Sequence, residues 1–209
     1  MLDFQLDNYR TFGLERGMAR QKEYIRDEVI NAATKVFWAK GFKGTSVSDL
    51  VGATGLNKHS MYQEFGSKEG LYHECLDNFT NVINWQLDAI LTRKPLGLQN
   101  IKDFFRNRIE YASSGECHGC MLVNATVEKE LLDDDAIERT QQYLSHRRET
   151  ILECLKAAQK TGEVNPAKDP DVLADYLLSF LTGIMVVGKT NPTRESLEAA
   201  TEVAFSSLK

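Results

Sequence analysis

The sequence predicts an all-α chain, a small three-helix head ahead of a larger helical body. Three observations carry this. Apolar residues recur at spacings of three and four, whereas strict period-2 alternation is hard to find. Only four prolines occur in 209 residues, so long helices meet few breaks. Runs of β-branched residues are scarce.

Composition narrows the class. With 42% hydrophobic residues the chain can bury a core, in about one or two domains. Charged residues make up 26% and are well mixed, which argues against wholesale disorder. No run of about 20 apolar residues stands out as a membrane span. Met1 to Asp7 carries acids and lacks a basic segment followed by an apolar run. A cytoplasmic chain with no membrane association is therefore expected. Its four cysteines, Cys75, Cys117, Cys120 and Cys154, do not form a disulfide framework in such a setting.

Residues 1–17 show no strong period and read as an N-terminal tail, or as translation from a start placed too far upstream. The first clear helix spans about Gln21 to Lys40. Ile25, Val29, Ala32 or Ala33, and Val36 share one face, and Phe37 broadens it. Gly41 ends it. Ser46 followed by Asp49 reads as a capping box opening a short helix, which Gly52 to Gly55 cannot prolong. Asn57 caps a second short helix to about Glu64. Ser67 caps a long helix to about Leu91 or Thr92, with Glu69 in its first turn.

Further helices are expected at about Leu98 to Ser113, Gly119 to Glu130 and Asp133 to Lys160. Two more span Asp171 to Lys189 and Pro192 to Leu208. Asp133-Asp134-Asp135 suits a helix N-terminus, though a solvated loop explains the acids equally well.

Two short helices around a glycine turn, from Thr45 to Phe65, form a helix-turn-helix candidate. Asn57, Lys58, His59 and Ser60 give the second helix a polar start fit for a major groove. Leu56, Met61 and Phe65 can dock it on Val47, Leu50 and Val51, with Val36 and Phe37 completing the small core. The net charge of −5 hides an asymmetry, because residues 18–66 hold seven Lys/Arg against five Asp/Glu while the rest is acidic.

At these residues the chain resembles the TetR family of repressors. The resemblance runs through Phe37, Gly41-Phe42, Thr45-Ser46, Leu50, Gly55-Leu56, Ser60-Met61-Tyr62, Phe65, Ser67-Lys68-Glu69 and Leu71, about fifty residues in register. It implies a DNA-binding head at 18–66 and a regulatory and dimerisation domain at 67–209. The expected function is a sequence-specific repressor of transcription that binds double-stranded operator DNA as a homodimer. It implies that Lys58 and His59 reach base edges, and that Thr45, Ser46, Asn57, Ser60, Tyr62, Gln63 and Lys68 serve the DNA contact, mostly at phosphates. Two positions depart from the usual pattern. His59 stands where relatives are often small, and Glu64 brings an acid near phosphates, so it is expected to point away or bond locally.

In the body, Gly119-Cys120-Met121-Leu122-Val123-Asn124 looks like a Gly-Cys-hydrophobic-Asn segment of a TetR subgroup, some members of which sense electrophiles or oxidants there. A cysteine in a first helical turn favours its thiolate. His118 and distant Lys189 would assist, and Cys117 would be the resolving thiol. The ordinary alternative is that Cys120 merely packs. Cys117, His118 and Cys120 fall short of a zinc site, so no metal or cofactor is expected.

The commoner trigger is a small apolar or aromatic effector in a pocket between helices. Trp85, Phe104, Phe105, Arg108, Asn124, Tyr143, Arg147 and Tyr176 are the candidate lining residues, with salt bridges the plainer role for the two arginines. No basic cleft points to a nucleotide. Leu173, Leu177, Phe180, Leu181, Ile184 and Met185, with Leu197, Ala200, Val203 and Ala204, are the candidate dimer interface, an internal core being the alternative for about half.

An enzyme is disfavoured. The chain has no Gly-rich phosphate loop, no nucleophile elbow and no His-Glu-X-X-His pair, and His59, His73, His118 and His146 are scattered. A helical interaction module without DNA binding is the rival from another class.

Overall fold

The computed structural model describes residues 17–209, with side chains from Arg26 onward. The predicted tail therefore lies outside the described residues except for the backbone of Gly17, and so does the side chain of Ile25. Among the described residues there are nine α-helices and no strand.

Helix α1 (Gly17–Gly44) buries Val29, Ile30, Ala33 and Phe37 and starts about a turn before the expected Gln21. Its regular path breaks at Gly41, where φ is 74° and ψ 174°. Only glycine holds that φ without strain. Helix α2 (Val47–Thr54) opens on a complete capping box. Ser46 Oγ accepts from the amide of Asp49 at 3.1 Å, and the Asp49 carboxylate accepts from the amide of Ser46 at 2.9 Å. Gly55, left-handed at φ 71°, closes α2 and makes the turn into α3 (Lys58–Phe65). Asn57 caps α3, its side-chain oxygen accepting from the amide of Ser60 at 2.9 Å.

Helix α4 (Lys68–Leu91), capped by Ser67, leaves the head and runs through the body, packing on both α1 and α7. The body adds α5 (Leu98–Ala112), α6 (Met121–Val127), α7 (Asp134–Lys160), α8 (Pro170–Val187) and α9 (Arg194–Ser206). Helix α6 is shorter than expected and gives way to a tight turn at Lys129–Leu131. Asp133 settles the acidic run as a cap, accepting from the amide of Ala136 at 3.0 Å and pairing with His73 at 2.8 Å. Pro170 sits in the first turn of α8 behind its cap Asp169, so that helix begins a residue early.

The expected dimer stripe is corrected by burial. Leu173, Leu177, Leu181, Ile184, Met185, Leu197 and Ala204 are buried within the single chain, against α5, α7 and neighbouring helices. Phe180 is half-buried against the ring of Phe105. Of the predicted set only Ala200 and Val203 stand exposed. The apolar face left open on α8 is instead Val172, Tyr176, Val186 and Val187, with Gly183 among them. Their spacing puts them on one side of the helix. By length and composition Pro170–Thr190 is apolar enough to cross a membrane, at mean hydropathy 1.6, a stretch that the sequence reading passed over. Its inner stripe is part of the protein core.

A candidate nucleic-acid interface and a buried cavity

The head displays one end of α3. Met61 and Phe65 are buried, which fixes the rotation of the helix. Asn57, Lys58, His59 and Gln63 consequently point outward, and Ser60 and Tyr62 are half-buried beside them. Lys58 Nζ lies 5.7 Å from the Tyr62 ring centroid, a cation over an aromatic face. A polar, partly basic helix start with unobstructed side chains is the shape a major groove accepts.

Other predicted DNA residues have internal duties. The Thr45 side chain is buried, and its hydroxyl donates to the carbonyl of Gly41 at 2.7 Å. Its place is in the turn and not on the surface. Ser46 is engaged in the capping box, where its hydroxyl also donates to Asp49 at 2.7 Å. Asp49 is held well below the usual carboxylate range, first by Lys40 at 2.6 Å and then by the Ser46 amide and hydroxyl. Lys68 Nζ donates to the carbonyl of Phe42 at 2.6 Å and sits 4.2 Å from that ring, so it braces α4 against the end of α1. Glu64 does bond locally, to Arg26 Nε at 3.2 Å.

In the body a narrow cavity of about 20 Å³, room for roughly one water, lies between α4, α5, α6, α7 and α8. Arg108, Tyr111, Cys120, Tyr143 and Thr182 bring polar atoms to a wall otherwise formed by residues such as Phe79 and Met185. Of the predicted lining residues, Arg108 and Tyr143 face this space. Phe104 and Phe105 are buried in the core, and Arg147 sits behind Tyr143. Its guanidinium is 0% exposed and donates to Asp88 at 2.8 Å and Asn84 at 2.9 Å, the salt-bridge role weighed above. Trp85 is 70% exposed on α4, and Tyr176 belongs to the open face of α8. Asn124 donates to the carbonyl of His118 at 2.9 Å and accepts from Lys189 at 3.2 Å, outside the cavity.

Against the thiolate expected at Cys120 stands its burial. Cys120 does sit at the start of α6, but burial pushes its thiol up, outweighing the amides of Val123 and Leu122. Its sulfur faces the Tyr143 hydroxyl at 3.8 Å. His118 packs edge-on to Trp38, and Cys117 is likewise raised by burial. Among the described residues no His, Cys, Asp or Glu group is arranged to hold a metal.

Sequence reasoning missed the link between cavity and head. Glu128, one residue past α6, accepts from the amide of Phe42 at 2.8 Å and that of Lys43 at 3.2 Å. These amides follow the break at Gly41, where a Cβ would lie 3.0 Å from both Glu128 carboxylate oxygens. At the other end of α6, the Trp38 indole donates to the carbonyl of Gly119 at 2.8 Å. Helix α6 thus forms part of the cavity wall and holds α1 from both of its ends. The one signal in the sequence was that Glu128 follows Asn124 by a single helical turn.

The chain matches two family profiles. That for bacterial regulatory proteins of the tetR family covers residues 29–75, and that for a tetracyclin repressor-like C-terminal domain covers residues 97–204. It is 26% identical over 198 residues to the HTH-type transcriptional repressor ComR of Escherichia coli (strain K12), covering 94% of this chain and 93% of ComR. With the HTH-type transcriptional repressor DhaR of Mycobacterium sp. (strain GP1) it shares 25% identity, over 88% of this chain and 92% of DhaR. Among solved structures, a cysteine mutant of the TetR family transcriptional regulator CifR, complexed with 26bp double-strand operator DNA, aligns with a TM-score of 0.76 and 25% identity. That alignment covers 88% of this chain and 97% of CifR. A TetR transcriptional regulator from Chloroflexus aurantiacus J-10-FL aligns at 0.78 and 27%, over 89% of this chain and 95% of the other.

Proposed function

The chain belongs to the TetR family of bacterial regulatory proteins, and we propose that this DNA-binding transcriptional repressor grips its operator with α3 and lets go when a small molecule enters the body's cavity. Residues 18–66 act as the reading head and 67–209 as the regulatory and dimerising body. The observation that carries the DNA reading is the outward display of Asn57, Lys58, His59 and Gln63 on a helix whose other face is locked by Met61 and Phe65. The DNA-bound CifR structure supports this reading by likeness. Its relatives are transcriptional regulators and not enzymes, and we place its work in the cytoplasm.

Two copies pair through the open apolar face of α8 and the exposed Ala200 and Val203 of α9. Large apolar side chains on one exposed face are the mark of a buried interface. The C2 pair then sets two α3 helices on half-sites spaced by whole turns of DNA.

Release is built on Glu128. The cavity is narrow, so a ligand must part its walls, and α6 is one wall. Moving α6 pulls the Glu128 carboxylate from the amides of Phe42 and Lys43 and frees the end of α1. A ligand shifts the balance by binding the parted form better than the closed form. The alternative trigger, attack on Cys120, is disfavoured by the burial of its thiol.

The test starts by selecting the DNA sequences the protein binds, then follows anisotropy of the selected duplex against salt. Affinity is expected to fall linearly on a log–log plot. Lys58→Ala and Tyr62→Phe are expected to weaken binding by about 1–3 kcal/mol. A chain that selects no sequence at moderate salt, or variants that bind as the parent does, would overturn the DNA reading.

A further inference from the structure

We propose that the end of α6, from Val127 to Leu131, belongs to the pairing surface and packs against a second copy of this chain, so that each subunit's Glu128 contact with its own head is steadied by the partner. This deepens the pairing through α8 and α9 proposed above and rests on it.

Val127 is 78% exposed, more than any other large apolar side chain among the described residues, and Leu131 is 48% exposed. The rest of α6 behaves differently, since Met121, Leu122, Val123 and Ala125 enter the core. Valine and leucine left in water this close together are area that a partner can cover.

The open face of α8 runs on to them. Helix α6 packs on α8. The two meet closely, because a Cβ at Gly119, just before α6, would lie 3.0 Å from the carbonyl of Met185. Lys189 follows the exposed Val186 by three residues, and its Nζ donates to the side-chain oxygen of Asn124 at 3.2 Å. Asn124 precedes Val127 by three residues, nearly one turn of α6. Exposed apolar residues thus run from Val172 and Tyr176, through Val186 and Val187, to Val127, with the bond from Lys189 to Asn124 as the bridge.

The charges between Val127 and Leu131 fit a copy of themselves. Lys129 and Glu130 are both exposed and lie side by side, Nζ 3.8 Å from the Glu130 carboxylate. A two-fold axis beside them sets Lys129 against the partner's Glu130 and Glu130 against the partner's Lys129. A second copy meets this requirement by symmetry alone.

Glu128 is the neighbour of Val127, and it accepts from the amides of Phe42 and Lys43. A partner seated on Val127 restrains this end of α6, so pairing steadies each head as well as supplying two of them. Movement of α6 in one subunit loosens α6 in the other, and the two heads let go together.

Sedimentation equilibrium on the whole chain tests the surface. Val127→Asp is expected to raise the dimer's dissociation constant about 10-fold or more, with helical circular dichroism unchanged because this side chain has no place in the core. Lys129→Glu is expected to raise it a few-fold, and adding Glu130→Lys to bring it back, because the doubled swap restores the match. Hydrogen exchange tests the link to the head. The amides of Phe42 and Lys43 are expected to exchange about 3-fold or more faster in Val127→Asp than in the parent dimer. The proposal is overturned if Val127→Asp pairs as tightly as the parent, if the doubled swap pairs no better than Lys129→Glu, or if exchange at Phe42 and Lys43 is the same in monomer and dimer. Val186→Glu separates the two readings. If it dissociates while Val127→Asp stays paired, the α8 face stands and this proposal falls. If it stays paired while Val127→Asp dissociates, the α8 reading falls and the end of α6 holds the pair.

Discussion

Arg26 on α1 donates from Nε to Glu64 on α3 at 3.2 Å, and its other arm reaches Glu74 on α4 at 2.7 Å. The single acid on the DNA-facing helix is thereby drawn toward the protein, with the same guanidinium 5.4 Å from the Phe65 ring centroid. Both Arg26 and Glu64 keep about a third of their side-chain surface in water, 32% each, so the pair is screened and modest in strength.

Glu64→Gln is therefore expected to lower head stability by no more than about 1 kcal/mol. It should tighten DNA binding a few-fold, with a larger gain at low salt, because a charge repelling phosphate is gone. Anisotropy with the selected operator at two salt concentrations reads this. Unchanged or weaker binding at both would show that Glu64 does not face the DNA field.

Glu128→Ala removes a charged acceptor from the amides of Phe42 and Lys43. A loss of about 1–3 kcal/mol in stability is expected by urea denaturation. Operator affinity should fall with it, while a cavity ligand should bind more tightly, because the contact its entry must break is already gone. Gly41→Ala should act in the same direction, since it forces a side chain onto φ 74° and against the Glu128 oxygens. If both variants bind operator as the parent does, the link through Glu128 carries no regulation.

Val186→Glu and Val203→Glu each place a charge on the open face of α8 and α9. Sedimentation velocity is expected to show monomers with unchanged helical circular dichroism. A persistent dimer in both variants would place the interface elsewhere.

Burial pushes the Cys75 thiol up to about 12 and Cys154 up to about 11 from an ordinary 9.0. A raised folded-state value stabilises the protein fully below the unfolded value and is lost as pH climbs through the folded one. Stability is thus expected to be flat from pH 7 to 9 with respect to these thiols and to fall between 9 and 12. Urea denaturation across that range checks it, and Cys75→Ala with Cys154→Ala should flatten the slope. Cys120, also raised, is expected to resist iodoacetamide in the folded protein at pH 8. Rapid native labelling there would restore the thiol trigger.

The head was readable because its instructions are local. Ser46 and Asp49 cap across three residues, Asn57 caps its own helix, and Gly41 and Gly55 mark places where the chain must turn. The cavity was hard to read because five helices contribute to it, and spacing along one helix does not reveal its neighbours. Helix α8 shows the difficulty. It is apolar on two faces, so Leu177 and Leu181, which point inward, look no different in sequence from Val172 and Val186, which point outward. Trp85 misled for a related reason, since a large aromatic carries no mark of which side of α4 it occupies. Glu128 was passed over because its partners lie 86 and 85 residues away.

The tightness of the cavity also sets a tempo. On the release route proposed above, so narrow a space would admit an effector only when its helices part, and association would be paced by thermal opening below ordinary encounter rates. A brief pulse of effector would then leave transcription untouched, whereas a sustained supply would catch enough openings to register. The same narrowness would slow escape, so the off state would outlast the stimulus. A repressor working by that route would respond to how long its effector has been present as well as to how much there is.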